Sequence, residues 1–260
     1  QWRNWRSVDW TSYEVVVVRS TWDYQEDPTE FLECLRGIEA SGAKLANSLQ
    51  LVEWNISKSY LSRVADSGVA IVPTNFLESF DLQRVRGCFT AFNTTEIVIK
   101  PSVSANADHT YRLTPTKLEE QASGLKRSLG KRSILVQPFI DNILREGEYS
   151  LFYFGGCLSH CILKTPKQDD FRVQEEFGGQ LRLVEAESQL LQAAEQTMGA
   201  IPGKPLYARL DFVRGTAPSC SGGTFLVMEI ELIEPSLYFN MDADSPERFA
   251  DAFVMCFGRG

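Results

Sequence analysis

Near the C-terminal end of the chain, two strand-like segments, LYARLDFVRG and TFLVMEIELIE, carry acids inside apolar runs, and this limits the fold more than any other feature. Side chains alternate between the two faces of a strand, so Arg209 and Asp211 share one face of the first segment and Glu229 and Glu231 one face of the second. The Gly/Ser/Pro-rich stretch between them predicts that the segments pair as a hairpin. Three carboxylates and a guanidinium then gather on one sheet surface amid Leu210, Phe212, Met228 and Ile230. Carboxylates this close repel one another unless cations intervene, and an all-oxygen donor set selects magnesium, which keeps waters and binds substrate phosphates as well. A magnesium-phosphate site follows from this reading. On the residues alone, the alternative is a solvated face salt-bridged to Arg209 and to lysines.

The remaining pattern predicts an α/β (α+β) protein in three parts. EVVVVRS lacks alternation, as a parallel strand covered on both faces does. Asp27, Pro28 and Glu30 stand in capping-box order before the apolar face of Phe31, Leu32 and Leu35. A second helix is expected from Asn55 to Asp66, with Gly68 just past its end and GVAIVPT as the returning strand. Residues 1–75 thus read as a small N-terminal α/β layer, shortened by the strand and helix expected before EVVVVRS. Residues 76–140 continue the alternation: a short helix to Phe92, the strand EIVIK, a helix from Pro115 to Leu129, and the strand SILVQPF. Residues 141–260 turn to antiparallel hairpins, YSLFYFGGCLSHCILK folding back at Gly155 and Gly156, then the acid-bearing pair. A helix from Glu187 to Met198 separates them, and another from Pro246 closes the chain.

Charge and cysteine usage narrow the class. With 26 Lys and Arg against 34 Asp and Glu, a net charge of −8 argues against nucleic-acid or anionic-membrane partners. The Val15–Val18 run is far shorter than the roughly 20 residues of a membrane helix. Cysteines at 34, 88, 157, 161, 220 and 256 form no CxxC pair, and Cys157, His160 and Cys161 have no fourth ligand close in sequence, so no zinc site is expected. Free thiols predict a cytoplasmic protein, and the opening QWRNWRSVDW has no signal-peptide pattern.

Basic residues supply the other half of a phosphate site. Lys100 ends EIVIK, and Lys58 follows Trp54 in the second helix. In ILKTPKQDDFRVQEEFGG, Lys164, Lys167 and Arg172 interleave with Asp169, Asp170, Glu175 and Glu176 before Gly178 and Gly179. An arginine in such an ordered loop can steady charge on a transferring phosphoryl group. Read singly, each has a plainer alternative: an exposed strand end, a solvated lysine, a solvated hairpin extension.

In their order along the chain these segments resemble the ATP-grasp superfamily of carboxylate ligases, in its glutathione synthetase-like and RimK-like branch, and the resemblance covers most of the chain. MEIELIEP is similar to the branch's acid-x-Asn hairpin, which carries Glu229 and Glu231 onto magnesium-ligand positions, and Asp211 in ARLDF matches the third. LKTPKQDDFRVQEEFGG is similar to the branch's motif of a basic residue, Phe-Arg and paired glycines, which carries Lys164 onto a nucleotide-binding position and Arg172 onto the phosphate-facing arginine. Arg209 matches the arginine beside the metal acid. The resemblance also implies that Lys58 and Lys100 hold ATP phosphates, that the backbone of Gln137, Pro138 and Phe139 hydrogen-bonds adenine in an apolar slot at a hinge, and that Glu148 takes the ribose hydroxyls. It implies an ATP-grasp fold of two α+β subdomains gripping ATP, with two magnesium ions. The implied reaction turns a small-molecule carboxylate into an acyl phosphate and joins it to an amine; a non-catalytic nucleotide-binding homologue and a small-molecule kinase are the alternatives, and a homodimer is an admissible assembly. Departures are the glycine-free loop SVSANADHTYR, Glu231 where the branch carries Asn, and Glu234 as a competing carboxylate three residues on.

Overall fold

The computed structural model of the chain describes residues 2–167, 170–215 and 223–258, so Asp169, Cys220 and the loop joining the closing hairpin lie outside the described residues. The β-branched run forms a short strand, β1 (Val15–Val17), paired in parallel with β2 (Lys44–Ala46). Between them α1 (Pro28–Ala40) begins as expected, the Asp27 carboxylate accepting from the Glu30 amide at 3.0 Å with Pro28 in the first turn. The Glu30 carboxylate does not reciprocate; it accepts from Trp5 Nε1 at 2.8 Å and from Arg6. Trp2, Trp5 and Trp10 thereby pack onto the face of α1 that buries Phe31, Cys34, Leu35 and Ile38. Gly37 is required there, because a Cβ would run into the Trp5 ring.

Two expectations for this layer are corrected. The helix predicted from Asn55 to Asp66 is two helices, α2 (Leu49–Asn55) and α3 (Tyr60–Asp66), with Lys58 in the break. Backbone and side chains in the break are drawn outward: the Lys58 amide donates to the Ser102 carbonyl at 2.7 Å, and the Asn55 side chain reaches another strand. GVAIVPT forms no strand of its own. Ile71 makes one parallel bridge to Val227, flanked by Val72 N to Val227 O and Val227 N to Ala70 O, both 3.0 Å, and Pro73, which has no N–H, stops the ladder. The strand returning beside β1 is β2.

A four-stranded sheet has the order β3-β6-β4-β5, where β3 is Asn75–Leu77, β4 Ile97–Pro101, β5 Tyr111–Leu113 and β6 Ile134–Pro138. α4 (Leu82–Ala91) and α5 (Pro115–Leu129) cover it through Val85, Phe89, Leu118 and Leu125 against Ile97, Ile99 and Val136. After α6 (Asn142–Arg145) comes a five-stranded antiparallel sheet, ordered β11-β10-β7-β8-β9. Its strands are β7 (Glu148–Phe154), β8 (Cys157–Thr165), β9 (Gln180–Val184), β10 (Tyr207–Arg214) and β11 (Phe225–Glu231). Gly155 and Gly156, with φ of +56° and +87°, make the tight turn between β7 and β8. α7 (Ser188–Ala200) packs Leu190 and Ala194 on one face of this sheet, and α8 (Ser245–Phe257) contributes Ala252 to the cluster around Phe154 and Tyr207. Among the described residues no helix is long and apolar enough to cross a membrane.

Asn47 ties the N-terminal layer to the large sheet. Buried at 3% exposure, its amide donates to the Tyr207 and Leu232 carbonyls at 2.9 and 2.8 Å and accepts from the Leu206 amide at 2.6 Å. Asn47→Ala strands three buried backbone groups, each worth about 1–3 kcal/mol when unpaired. The expected loss is ~3 kcal/mol, read in a thermal melt as a drop of roughly 2–4 °C per kcal/mol. A melting temperature within 2 °C of the parent would mean that water replaces the amide without loss.

Candidate active site

The acid-bearing strands pair as the expected hairpin, with Asp211 opposite Glu229 and Arg209 opposite Glu231, and the register shifts just past Asp211. All four side chains line a cleft holding about 1540 Å³ of empty space, open solvent at its mouth included, walled by both larger sheets and the N-terminal layer. The twelve residues given a site role by the resemblance all line this cleft: Lys58, Lys100, Gln137, Pro138, Phe139, Glu148, Lys164, Arg172, Arg209, Asp211, Glu229 and Glu231.

At its charged floor each acid has a cationic partner. The Arg209 guanidinium donates to Asp211 at 2.9 and 3.1 Å and also to Glu231. Lys164 Nζ lies 3.0 Å from Glu148 and 3.5 Å from Asp211, and Lys58 Nζ lies 3.0 Å from Glu229. The Ser150 hydroxyl donates to Asp211 across the β7–β10 pairing. Among the described residues no three acids, histidines or cysteines converge tightly enough to enclose an ion, so the gathering is looser than strand spacing alone suggests. Repulsion keeps the carboxylates apart and turns each towards a cation.

Burial opposes charge throughout the cleft, and neighbours decide the outcome. Burial raises the Asp211 carboxyl, but Arg209 and Lys164 outweigh it and hold the group at about 2. Glu229 is likewise kept below its ordinary value against burial, by Lys58 and Lys100. Burial pushes Glu231 up to about 7, with Arg209 opposing and Glu229 adding, and pushes Glu234 up to about 8, with Glu231 adding. Burial also lowers the Lys100 amine, with Glu229 opposing it.

The two lysines come from different elements. Lys100 follows Val98 on the cleft side of β4. Lys58, in the break between α2 and α3, donates to the Ser104 carbonyl at 2.7 Å and to its hydroxyl at 3.2 Å. It therefore holds the glycine-free loop after β4 against β11. Arg172 is half-buried, paired with Asp170 at 2.8 Å and set over the Phe177 ring at 3.7 Å. At the apolar end the cleft is lined by Val98, Pro138, Phe139, Ile143, Phe171 and Met228. Of the backbone groups expected to meet the base, the Phe139 amide is already engaged, donating to the Glu96 carbonyl at 3.0 Å; the Gln137 side chain donates to Thr74 Oγ1 at 2.8 Å.

Sequence reasoning missed the side chains that hold β11 in place. On its free edge, Ile230, between the two acids, is bonded at both backbone groups: its amide donates to Tyr60 Oη at 2.7 Å, and its carbonyl accepts from Tyr60 Oη at 2.9 Å and Asn55 Nδ2 at 2.8 Å. Asn55 Oδ1 accepts from the next amide, Leu232, at 2.9 Å. An aromatic and an amide on short helices read as core and surface, so no signal in the sequence marks them. Trp22, Tyr24, Glu234, Ser236 and Tyr238 also line the cleft.

The residues present fit a magnesium nucleotide. The acidic groups that β10 and β11 present to the cleft, Asp211, Glu229 and Glu231, offer carboxylate oxygens, the donor type magnesium takes. Lys58, Lys100, Lys164 and Arg172 line the same cleft as cations able to meet phosphate oxygens.

Comparison with known proteins agrees with this geometry. Residues 1–47 match the family described as the N-terminal domain of the D-cycloserine synthetase DcsG. The cycloserine biosynthesis protein DcsG of Streptomyces lavendulae is 31% identical over 264 residues, spanning 95% of this chain and 85% of the relative. The crystal structure of D-cycloserine synthetase DcsG superposes with a TM-score of 0.85 at 28% identity, over 97% of this chain and 88% of that one. The ATP-grasp ligase PsnB, solved with a phosphomimetic variant of its minimal precursor, Mg and ADP, gives a TM-score of 0.65 over 95% and 79% of the two chains; at 14% identity that likeness speaks to the fold.

Proposed function

Since this chain belongs to the ATP-grasp superfamily, in the family of the cycloserine biosynthesis protein DcsG, we propose which of its residues carry out the reaction and which acid it activates. It is an ATP-dependent ligase that forms C–N bonds, with ATP and magnesium as its cofactors. The carboxylate accepts the γ-phosphoryl group, ADP leaves, and an amine-type nitrogen attacks the acyl phosphate and expels phosphate. DcsG relatives are named for D-cycloserine, a cyclic amide whose ring joins a carboxyl to a nitrogen of the same molecule. On that likeness the acid and the nitrogen belong to one small substrate here.

Asp211, Glu229 and Glu231 would hold the magnesium, two ions on this reading. When bound, magnesium neutralises the triphosphate. Lys58 and Lys100 hold phosphate oxygens, and Lys164 with Glu148 faces the nucleotide. Arg172 and Arg209 steady the charge that develops on the transferring phosphoryl and acyl groups. Pro138 and Phe139 border the adenine slot through packing, since the Phe139 amide is already bonded. Substrate enters the end walled by Trp22, Tyr24, Ser236 and Tyr238. The nucleotide requirement and the free thiols of Cys34, Cys88, Cys157, Cys161 and Cys256 support work in the cytoplasm.

The observation that carries this reading is the pairing of Asp211 with Glu229 on the wall of a cleft that also holds Lys58 and Lys100. Its test is release of ADP and phosphate across a panel of amino acids bearing a second nitrogen. A ligase releases both in step with a new amide bond seen by mass spectrometry. ADP with a stable phosphorylated product would identify a kinase, and nucleotide binding without turnover on any acid would identify a non-catalytic homologue.

A further inference from the structure

The carboxylate of Glu234 stands apart from the others in the cleft. Glu148, Asp211, Glu229 and Glu231 each face a lysine or arginine within 3.5 Å. Glu234 is 7% exposed and lines the same cleft, yet apart from its own backbone amide no described residue hydrogen-bonds or ion-pairs with its side chain. Lys58, Arg209 and Arg19 act on it from a distance, and none of them is paired with it. A buried carboxylate without a direct partner is costly, and it persists where something else supplies that contact.

Its backbone is fixed to an unusual degree. Three consecutive carbonyls each hold a donor: Ile233 O takes Tyr207 Oη at 2.8 Å, Glu234 O takes Trp22 Nε1 at 3.1 Å, and Pro235 O takes Arg19 at 3.0 Å. The carboxylate is thus pre-set on a rigid frame at the end of the cleft walled by Trp22 and Tyr24, whose rings suit a cation.

We propose that Glu234 recognises the substrate by binding an ammonium on the carbon next to the carboxyl that is activated, so that the ligase selects α-amino acids over the matching desamino acids. This rests on the ligase reading and adds the residue that sets its specificity. The rival role for Glu234, three residues beyond Glu231, is a further magnesium ligand.

Two acids that differ only in the α-ammonium separate these roles: β-aminooxy-D-alanine, the open form of D-cycloserine, and 3-aminooxypropanoate. ADP release is followed for the parent and for Glu234→Gln, which keeps the shape and removes the charge. The parent should favour the amino acid by about 100-fold in kcat/KM, the effect of truncating one partner of a buried charge pair, and Glu234→Gln should reduce that ratio below about 5-fold without raising the magnesium requirement. An unchanged ratio overturns the proposal, as does a ratio kept while the magnesium requirement rises. Should the parent release no ADP with either acid, the ligase reading is what suffers. Glu234 is then judged without turnover, by the melting-temperature shift each acid produces with a non-hydrolysable ATP analogue and magnesium: a shift specific to the amino acid and lost in Glu234→Gln supports the proposal, and equal shifts overturn it.

Discussion

Replacing Asp211 with Asn should lower kcat by two to three orders of magnitude, the ~3–4 kcal/mol that removal of one well-placed electrostatic stabiliser costs. Asp211 lies at the centre of the charged floor, accepting from Arg209 and Ser150 and facing Lys164 at 3.5 Å. The amide keeps the shape but loses the charge, leaving two buried cations undercompensated, so stability should fall by about 3 kcal/mol as well. The two losses can be told apart. If Asp211 holds magnesium, raising magnesium or manganese recovers part of kcat at a temperature where the variant is folded. If it serves only the ion-pair network, kcat is indifferent to metal concentration.

The second large effect is expected at Arg172. Arg172→Ala should reduce kcat roughly a thousandfold while the KM for ATP changes less than about fivefold, since an arginine that meets charge only in the transition state leaves ground-state binding alone. In the structure Asp170 pairs with it at 2.8 Å and the Phe177 ring lies 3.7 Å from its guanidinium. Hydrogen bonds from Arg172 hold the Asp170 carboxyl at about 2, well below its ordinary 3.8. A carboxyl depressed in this way keeps its pairing at every pH above its ordinary value and loses it only as pH falls through about 2, so between about pH 6 and 9 the loss in kcat should be flat. Equal losses in kcat and in ATP affinity would instead place Arg172 in ground-state binding.

What could be read in the sequence follows from range. Period two in ARLDF and MEIEL was enough to put Asp211 and Glu229 side by side, because a strand's alternation is fixed by its own backbone. The Asp27 cap and the Gly155–Gly156 turn were readable for the same reason. Strands β2, β3 and β5 span three residues each, too few to show a period, and β9 alternates only weakly. The break that places Lys58 outside a helix depends on bonds to Ser102, Ser104 and β11, which no local pattern encodes. Through the resemblance, the lysines and acids of the cleft were nameable in advance. Glu234 was noticed only as a rival metal ligand, because a missing direct partner is a fact of three dimensions.

The fastening of Ile230 has a further consequence. β11 ends the five-stranded sheet, and an open rim of amides and carbonyls is where a foreign strand would add and seed aggregation. Here that rim is closed along its length, by Ala70 and Val72 at Val227 and by Tyr60 and Asn55 at Ile230 and Leu232. The segment that orients the two glutamates therefore also blocks strand addition at this edge of the sheet.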